Sequence, residues 1–172
     1  MENYKKFEYN YDKKRLLDFY NFRVMNGYGI PVGPLIHVDH QNLINYCTPG
    51  FDLVIDQPNP TNFGIAKIRN KTGLHCTPRN NGLIIFPLEG TVVYDFYSYV
   101  PNPGRPKLLP YNLTETQTQE IMKTFVESVR IDQPTAINGL VVHNYYPLET
   151  SAVFYAVKIP VKMTWEDVLK RL

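Results

Sequence analysis

The sequence is poor in cysteine, in excess charge of either sign and in long apolar runs, and each shortage excludes something. Only Cys47 and Cys76 occur among 172 residues, and no C-x-x-C spacing exists. A four-thiolate zinc site is therefore excluded, and no disulfide is demanded. No run of about 18 apolar residues is found, so no segment reads as a transmembrane helix. The opening residues Met1 to Lys6 lack the apolar core of a signal peptide. The expectation is a protein made in a reducing compartment, with the sequons at Asn70 and Asn112 as chance matches. Lys plus Arg number 18 against 16 Asp plus Glu, a net charge of +2. That balance removes the electrostatic case for a nucleic-acid or membrane-surface partner. The phosphate-loop, dinucleotide and serine-hydrolase signatures (G-K-S/T, G-x-G-x-x-G, G-x-S-x-G) are also missing.

What is present is aromatic and turn-forming: 13 Tyr, 9 Phe and 1 Trp, with 14 Pro and 10 Gly. That mixture favours short strands and many turns over a helical bundle. The length is that of one domain, 1–172, large enough to bury a sizeable core. Leu16 pairs with Phe19 and Tyr20 at helical spacing, so Asp12 to Phe22 reads as a short helix with Lys13, Lys14 and Arg15 on its solvated face. Asp39 stands as the cap of a second short helix carrying Leu43, Ile44 and Tyr46. From Phe51 onward, apolar or alternating runs are separated by turn clusters. They are 51–55, Phe63–Ile68, 83–86, 91–100, 140–145 and Ala152–Ile159. Ile121, Met122, Phe125, Val126 and Val129 predict a helix between Thr114 and Arg130. Thr164 to Asp167 reads as a capping box ahead of a C-terminal helix with Trp165, Val168, Leu169 and Leu172 on one face. The expected architecture is mainly β, a sandwich or barrel-like jelly roll. Residues 1–50 form a helical or irregular extension packed on it, 51–160 the β core and 161–172 the terminal helix.

Four histidines, His37, His40, His75 and His143, are the whole imidazole supply. A non-heme iron site needs two neutral imidazoles and a carboxylate on one face of the ion, commonly H-x-D/E on one strand with a distant His on another. His37-Val38-Asp39 matches H-x-D, with His40 adjacent, but a helix start there makes Asp39 a cap and His40 a solvated first-turn residue. His75-Cys76-Thr77 has the richer neighbourhood. Phe63 to Ile68 leads into Thr72-Gly73-Leu74-His75, and Leu83 to Gly90 follows. Asp132 to Asn138 then precedes Val142-His143-Asn144, and Ala152 to Val157 closes the series.

This ordering resembles the 2-oxoglutarate/Fe(II)-dependent dioxygenase superfamily over about residues 60–160, especially its small members encoded by tailed bacteriophages. The resemblance implies a double-stranded β-helix whose mouth holds iron and 2-oxoglutarate. It places His75 at the first metal ligand and His143 at the distal one. Two departures stand out. The carboxylate position is Thr77, a poor ligand, and the cation that would clamp 2-oxoglutarate is absent until Lys158. Asp39 or Asp95 is the available substitute acid, and Arg79, Lys67 or Lys158 the substitute cation.

Three functional expectations follow. The first is a jelly roll that has lost its catalytic centre, needs no cofactor and acts as a phage structural or accessory protein. It would lie in the host cytoplasm or virion, with protein partners, further copies of itself or virion components. The second is an active oxygenase with rearranged ligands, using Fe(II) and 2-oxoglutarate. The third is a carbohydrate- or peptide-binding β-sandwich that presents Tyr97, Tyr99, Tyr145 and Tyr146. Against each stands a plainer possibility: histidines satisfied by backbone carbonyls, and tyrosines serving as core or cross-strand pairs.

Overall fold

In the computed structural model, residues 2–38, 49–54, 63–76, 82–100 and 113–172 are described. In order they form β1 (Tyr4–Lys6), α1 (Lys13–Met25), β2 (Gly29–Val32), β3 (Leu35–Val38), α2 (Phe51–Val54), β4 (Phe63–Ile68), β5 (Gly82–Glu89), β6 (Val92–Tyr97), α3 (Glu115–Met122), β7 (Phe125–Ile131), β8 (Thr135–Asn138), β9 (Val142–Pro147), β10 (Ala152–Ile159) and α4 (Trp165–Leu169). The strands make two antiparallel sheets, ordered β1-β8-β5-β10-β4-β3-β2 and β7-β6-β9. Residues 72–76 extend the smaller sheet beyond β9 through a bridge between His75 and His143 and a bond from Thr72 N to Tyr145 O. From β4 to β10 the chain thus crosses repeatedly between two facing sheets, which is a jelly roll.

The large sheet is covered on both faces, which explains why its central strands read as nearly continuous apolar runs. On the outer face, Ile65, Phe86, Tyr155 and Val157 pack under Leu16, Phe19 and Tyr20 of α1 and Trp165 and Val168 of α4. On the inner face, Ile85 and Phe154 meet Tyr94 and Phe96 of β6 and Ile131 of β7. Local chemistry sets the element ends. Asp12 caps α1 by accepting from Arg15 N at 2.9 Å. Thr114 with Gln117, and Thr164 with Asp167, form reciprocal capping boxes on α3 and α4. Gly90 turns the chain from β5 into β6 at φ 68°, where a Cβ would lie 2.6 Å from Ser151 O, so a side chain is excluded there.

Several expectations need correction. Phe51–Val54 is a helical turn, not a strand. The helix expected from Thr114 to Arg130 stops at Met122. Thr124 N and its hydroxyl both bond Ile121 O, and Phe125–Ile131 then pairs with β6 as a strand. Residues 4–38 supply β1, β2 and β3 beside the expected helix. β5 runs past Pro87 to Glu89, because the register against β10 shifts there, and a bulge tolerates a residue without an N–H. The helix expected near Leu43 to Tyr46 lies outside the described residues. Among those described, no helix is long and apolar enough to cross a membrane.

Candidate functional site

The turn after β8 delivers His143 to the start of β9, where it pairs across one edge with Phe96 and across the other with His75. The two imidazole centres are 4.4 Å apart, with the rings inclined at 64°. His75 Nδ1 is 2.8 Å from Gly73 O, and His143 Nδ1 is 2.7 Å from Val141 O. A carbonyl only accepts, so each Nδ1 carries the proton and donates it, and each Nε2 keeps its lone pair. Aromatic rings enclose the pair: Tyr94 lies 5.6 Å from His143, and Tyr145 lies 5.8 Å from His75. Burial, reinforced by the neighbouring His75, pushes His143 down to about 3 against the opposing bond to Val141. Burial also lowers His75, again opposed by its carbonyl bond. Both rings are therefore neutral near pH 7.

The donor set meets part of what iron requires. Nδ1 donation to a carbonyl is how metal-ligating histidines are oriented. Two imidazoles on one ion, at metal–nitrogen distances of about 2.1 Å, place their centres roughly 4–5 Å apart, and the pair meets that spacing. The carboxylate is what is missing. Asp95 pairs in register with Asn144, one residue out of step with His143, so it lies on the opposite face of the sheet. There it accepts from Ser128 Oγ at 2.6 Å, Lys71 Nζ at 3.1 Å and Tyr146 OH at 3.4 Å. Asp39, Thr77 and Arg79 lie outside the described residues. Among those described, no group of three or more His, Cys, Asp and Glu side chains could hold a metal. The described residues therefore do not complete an iron site.

Beside the histidines, the inner face of the large sheet holds a cavity of about 230 Å³. Small residues leave room for it: Gly64 pairs with Ala156, and Ala66 stands opposite Phe154. Leu35, Leu83, Tyr145 and Phe154 form the remaining apolar lining, with Lys158 and His37 as its basic members. Burial pushes the Tyr145 phenol up to about 12, so it stays neutral. Lys158, a cation candidate from sequence, thus belongs to this cavity. His37 belongs to it too, although its H-x-D context had pointed elsewhere. Lys67 alternates with Ala66 on β4 and faces away. The small cavity-forming residues were missed in the sequence, although Gly64-x-Ala66 and Ala156-x-Lys158 are alternating pairs.

The expectation of a tyrosine platform is corrected for two of its four members. Tyr97 is 1% exposed and Tyr145 8%, so neither offers a face to solvent. Tyr99 packs against a small cluster with Ile121 and Val142. Tyr146 is half-buried, with Lys71 Nζ 4.7 Å from its ring centre.

No protein-family model matches the chain, and no curated protein matches it. Among solved structures it is similar to oxalate decarboxylase from Lactobacillus farciminis, with TM-score 0.41 and 12% identity, over 80% of this chain and 32% of that one. It is also similar to hydroquinone 1,2-dioxygenase from Sphingomonas sp. TTNP3, with TM-score 0.40 and 9% identity, over 76% of this chain and 81% of that one. The Drosophila melanogaster CENP-C cupin domain gives TM-score 0.35 and 8% identity, over 76% and 68%. Likenesses this distant carry no functional argument, so function is read from the chain's own residues.

Proposed function

We propose that this jelly roll is a non-catalytic binding protein whose working site is the apolar cavity beside the histidine pair. The observation that carries this reading is the charge around that site. Among the described residues, the two neutral imidazoles have no carboxylate partner, and the adjacent cavity sets Lys158 and His37 in a lining without any acid. An apolar pocket with one ammonium fits a small carboxylate that has an apolar body. The head pairs with Lys158, and the body is buried against Phe154 and Leu83. The same reading carries the phage-accessory role that the resemblance implies, namely a protein that holds a ligand or partner and oxidises nothing itself. The test is titration of untagged protein with phenylacetate by calorimetry, beside assays of Fe(II) content and 2-oxoglutarate consumption. Saturable phenylacetate binding is expected, weakened about tenfold in Lys158→Ala, the equivalent of roughly 1.4 kcal/mol. One Fe(II) per chain together with 2-oxoglutarate turnover would refute it.

One observation favours a second reading: the spacing and Nδ1 anchoring of the two rings suit metal ligation. In that reading His75 and His143 hold Fe(II), the acid comes from outside the described residues, with Asp39 as the candidate, and the chain is a 2-oxoglutarate-dependent oxygenase. His75→Ala and His143→Ala should then each abolish Fe(II) uptake. Uptake equal to wild type in both variants rejects that reading.

A further inference from the structure

On the side of the smaller sheet away from the barrel interior, a second cavity of about 470 Å³ lies between residues 71–74 and α3. Leu74, Leu113 and Met122 form its apolar side, and Lys71, Thr72, Thr118 and Asn144 its polar side. Asn144 decides what the cavity accepts. It is 3% exposed; its Nδ2 reaches Tyr97 OH at 3.4 Å, and its buried Oδ1 has no partner. A buried acceptor left unmade is costly, so this one calls for a donor.

Two further features narrow the class of donor. Lys71 contributes the only formal charge of the lining among the described residues, and Asp95 at 3.1 Å already neutralises it. A charged ligand therefore finds no free counter-charge among the described residues. Among the described residues no aromatic ring lines the cavity, so none of them stacks a sugar or a base. The backbone supplies the last element. His75 exchanges both of its main-chain hydrogen bonds with His143, each at 2.9 Å. In an antiparallel ladder the adjacent residue turns the other way, so Leu74 directs its N–H and C=O away from β9, toward an edge that no other described strand covers.

We infer that this cavity takes a short, neutral, extended peptide of a partner protein. Its main chain runs beside Leu74, one N–H donates to Asn144 Oδ1, and an aliphatic side chain enters between Leu74, Leu113 and Met122. Addition of a strand at an open edge, with a pocket selecting the side chain, is an established mode of peptide recognition. The site is separate from the barrel cavity and stands whether or not a carboxylate binds there.

The test uses acetyl-Ala-Leu-Ala-amide as the probe, titrated into the isotope-labelled full chain and followed by NMR. Saturable shifts are expected at the Leu74 amide, the Asn144 side-chain amide and the Met122 methyl. Asn144→Ala should weaken binding about tenfold. Met122→Glu, at a 46% exposed helix position that leaves folding intact, should weaken it as much. Lys158→Ala should change nothing, and neither acetyl-Ala-Glu-Ala-amide nor methyl glucoside should bind. The proposal is overturned if no saturable shift appears, if the glucoside or the acidic peptide binds equally well, or if both cavity variants bind like wild type.

Discussion

His143 can be charged only by placing a cation in a buried site among aromatic rings, and that makes it a source of acid lability. Its folded value of about 3 lies below the ordinary 6.5. Between those values the unfolded chain binds a proton that the folded chain refuses, so stability rises with pH across that window and levels off above it. His75, also lowered by burial, adds to the same slope. Urea midpoints measured from about pH 4.5 to about pH 7.5 should climb in the wild type and climb less in His143→Gln. A wild-type midpoint that stays flat over this range would contradict the buried, neutral assignment. At this scale the sequence was legible in part. His75 and His143 were singled out as a pair by the family resemblance alone, and their approach rests on the bridge that residues 72–76 make to β9 within one sheet. That Asp95 turns to the other face was not legible, since the face of a side chain depends on the register of β6 against β9. Nor was the burial of Tyr97 and Tyr145, because tyrosine suits a core and a surface equally well.

Helices α1 and α4 hold the outer layer, and the capping box of α4 was readable directly. α4 has five residues and is too short to persist alone, so its capping box and the burial of Trp165 and Val168 carry it. Thr164 Oγ1 accepts from Asp167 N at 3.1 Å, and Asp167 Oδ2 accepts from Thr164 N at 3.1 Å. Thr164→Ala removes the first bond and weakens the second, and should cost about 1 kcal/mol by chemical denaturation with an unchanged denaturant slope. Thr164→Asn should restore most of that loss, which a purely packing role for the threonine would not allow. Apolar spacing, not cap chemistry, placed α1 and α3 near Asp12 and Thr114. It failed to show where α3 stops, because Ile121, Met122, Phe125, Val126 and Val129 happen to satisfy helical spacing across a break. The strand that follows alternates clearly only at Val129 and Ile131, and Phe125 and Val126 are both exposed. The hairpin of β2 and β3 was missed for a related reason. Four-residue strands give too few alternations to register, and the Gly33-Pro34 turn between them was the one available sign.

At the scale of the molecule, β10 separates stability from binding. Tyr155 and Val157 point outward under α1 and α4, whereas Phe154 and Ala156 point inward, and Ala156 lines the barrel cavity. Substitutions on the two sides should therefore fail differently. Leu16→Ala empties a fully buried position of the outer layer and should cost about 2–5 kcal/mol, with phenylacetate affinity unchanged in whatever protein remains folded. Ala156→Leu adds volume where the structure already has space, so it should leave the urea midpoint nearly unchanged. It should also remove phenylacetate binding, because the cavity lies above the Gly64–Ala156 pair. Calorimetry and denaturation on the two variants check both halves. If Ala156→Leu binds phenylacetate as wild type does, the ligand site lies elsewhere. If Ala156→Leu unfolds the chain, the gap between Gly64 and Ala156 is packed and not open to a ligand.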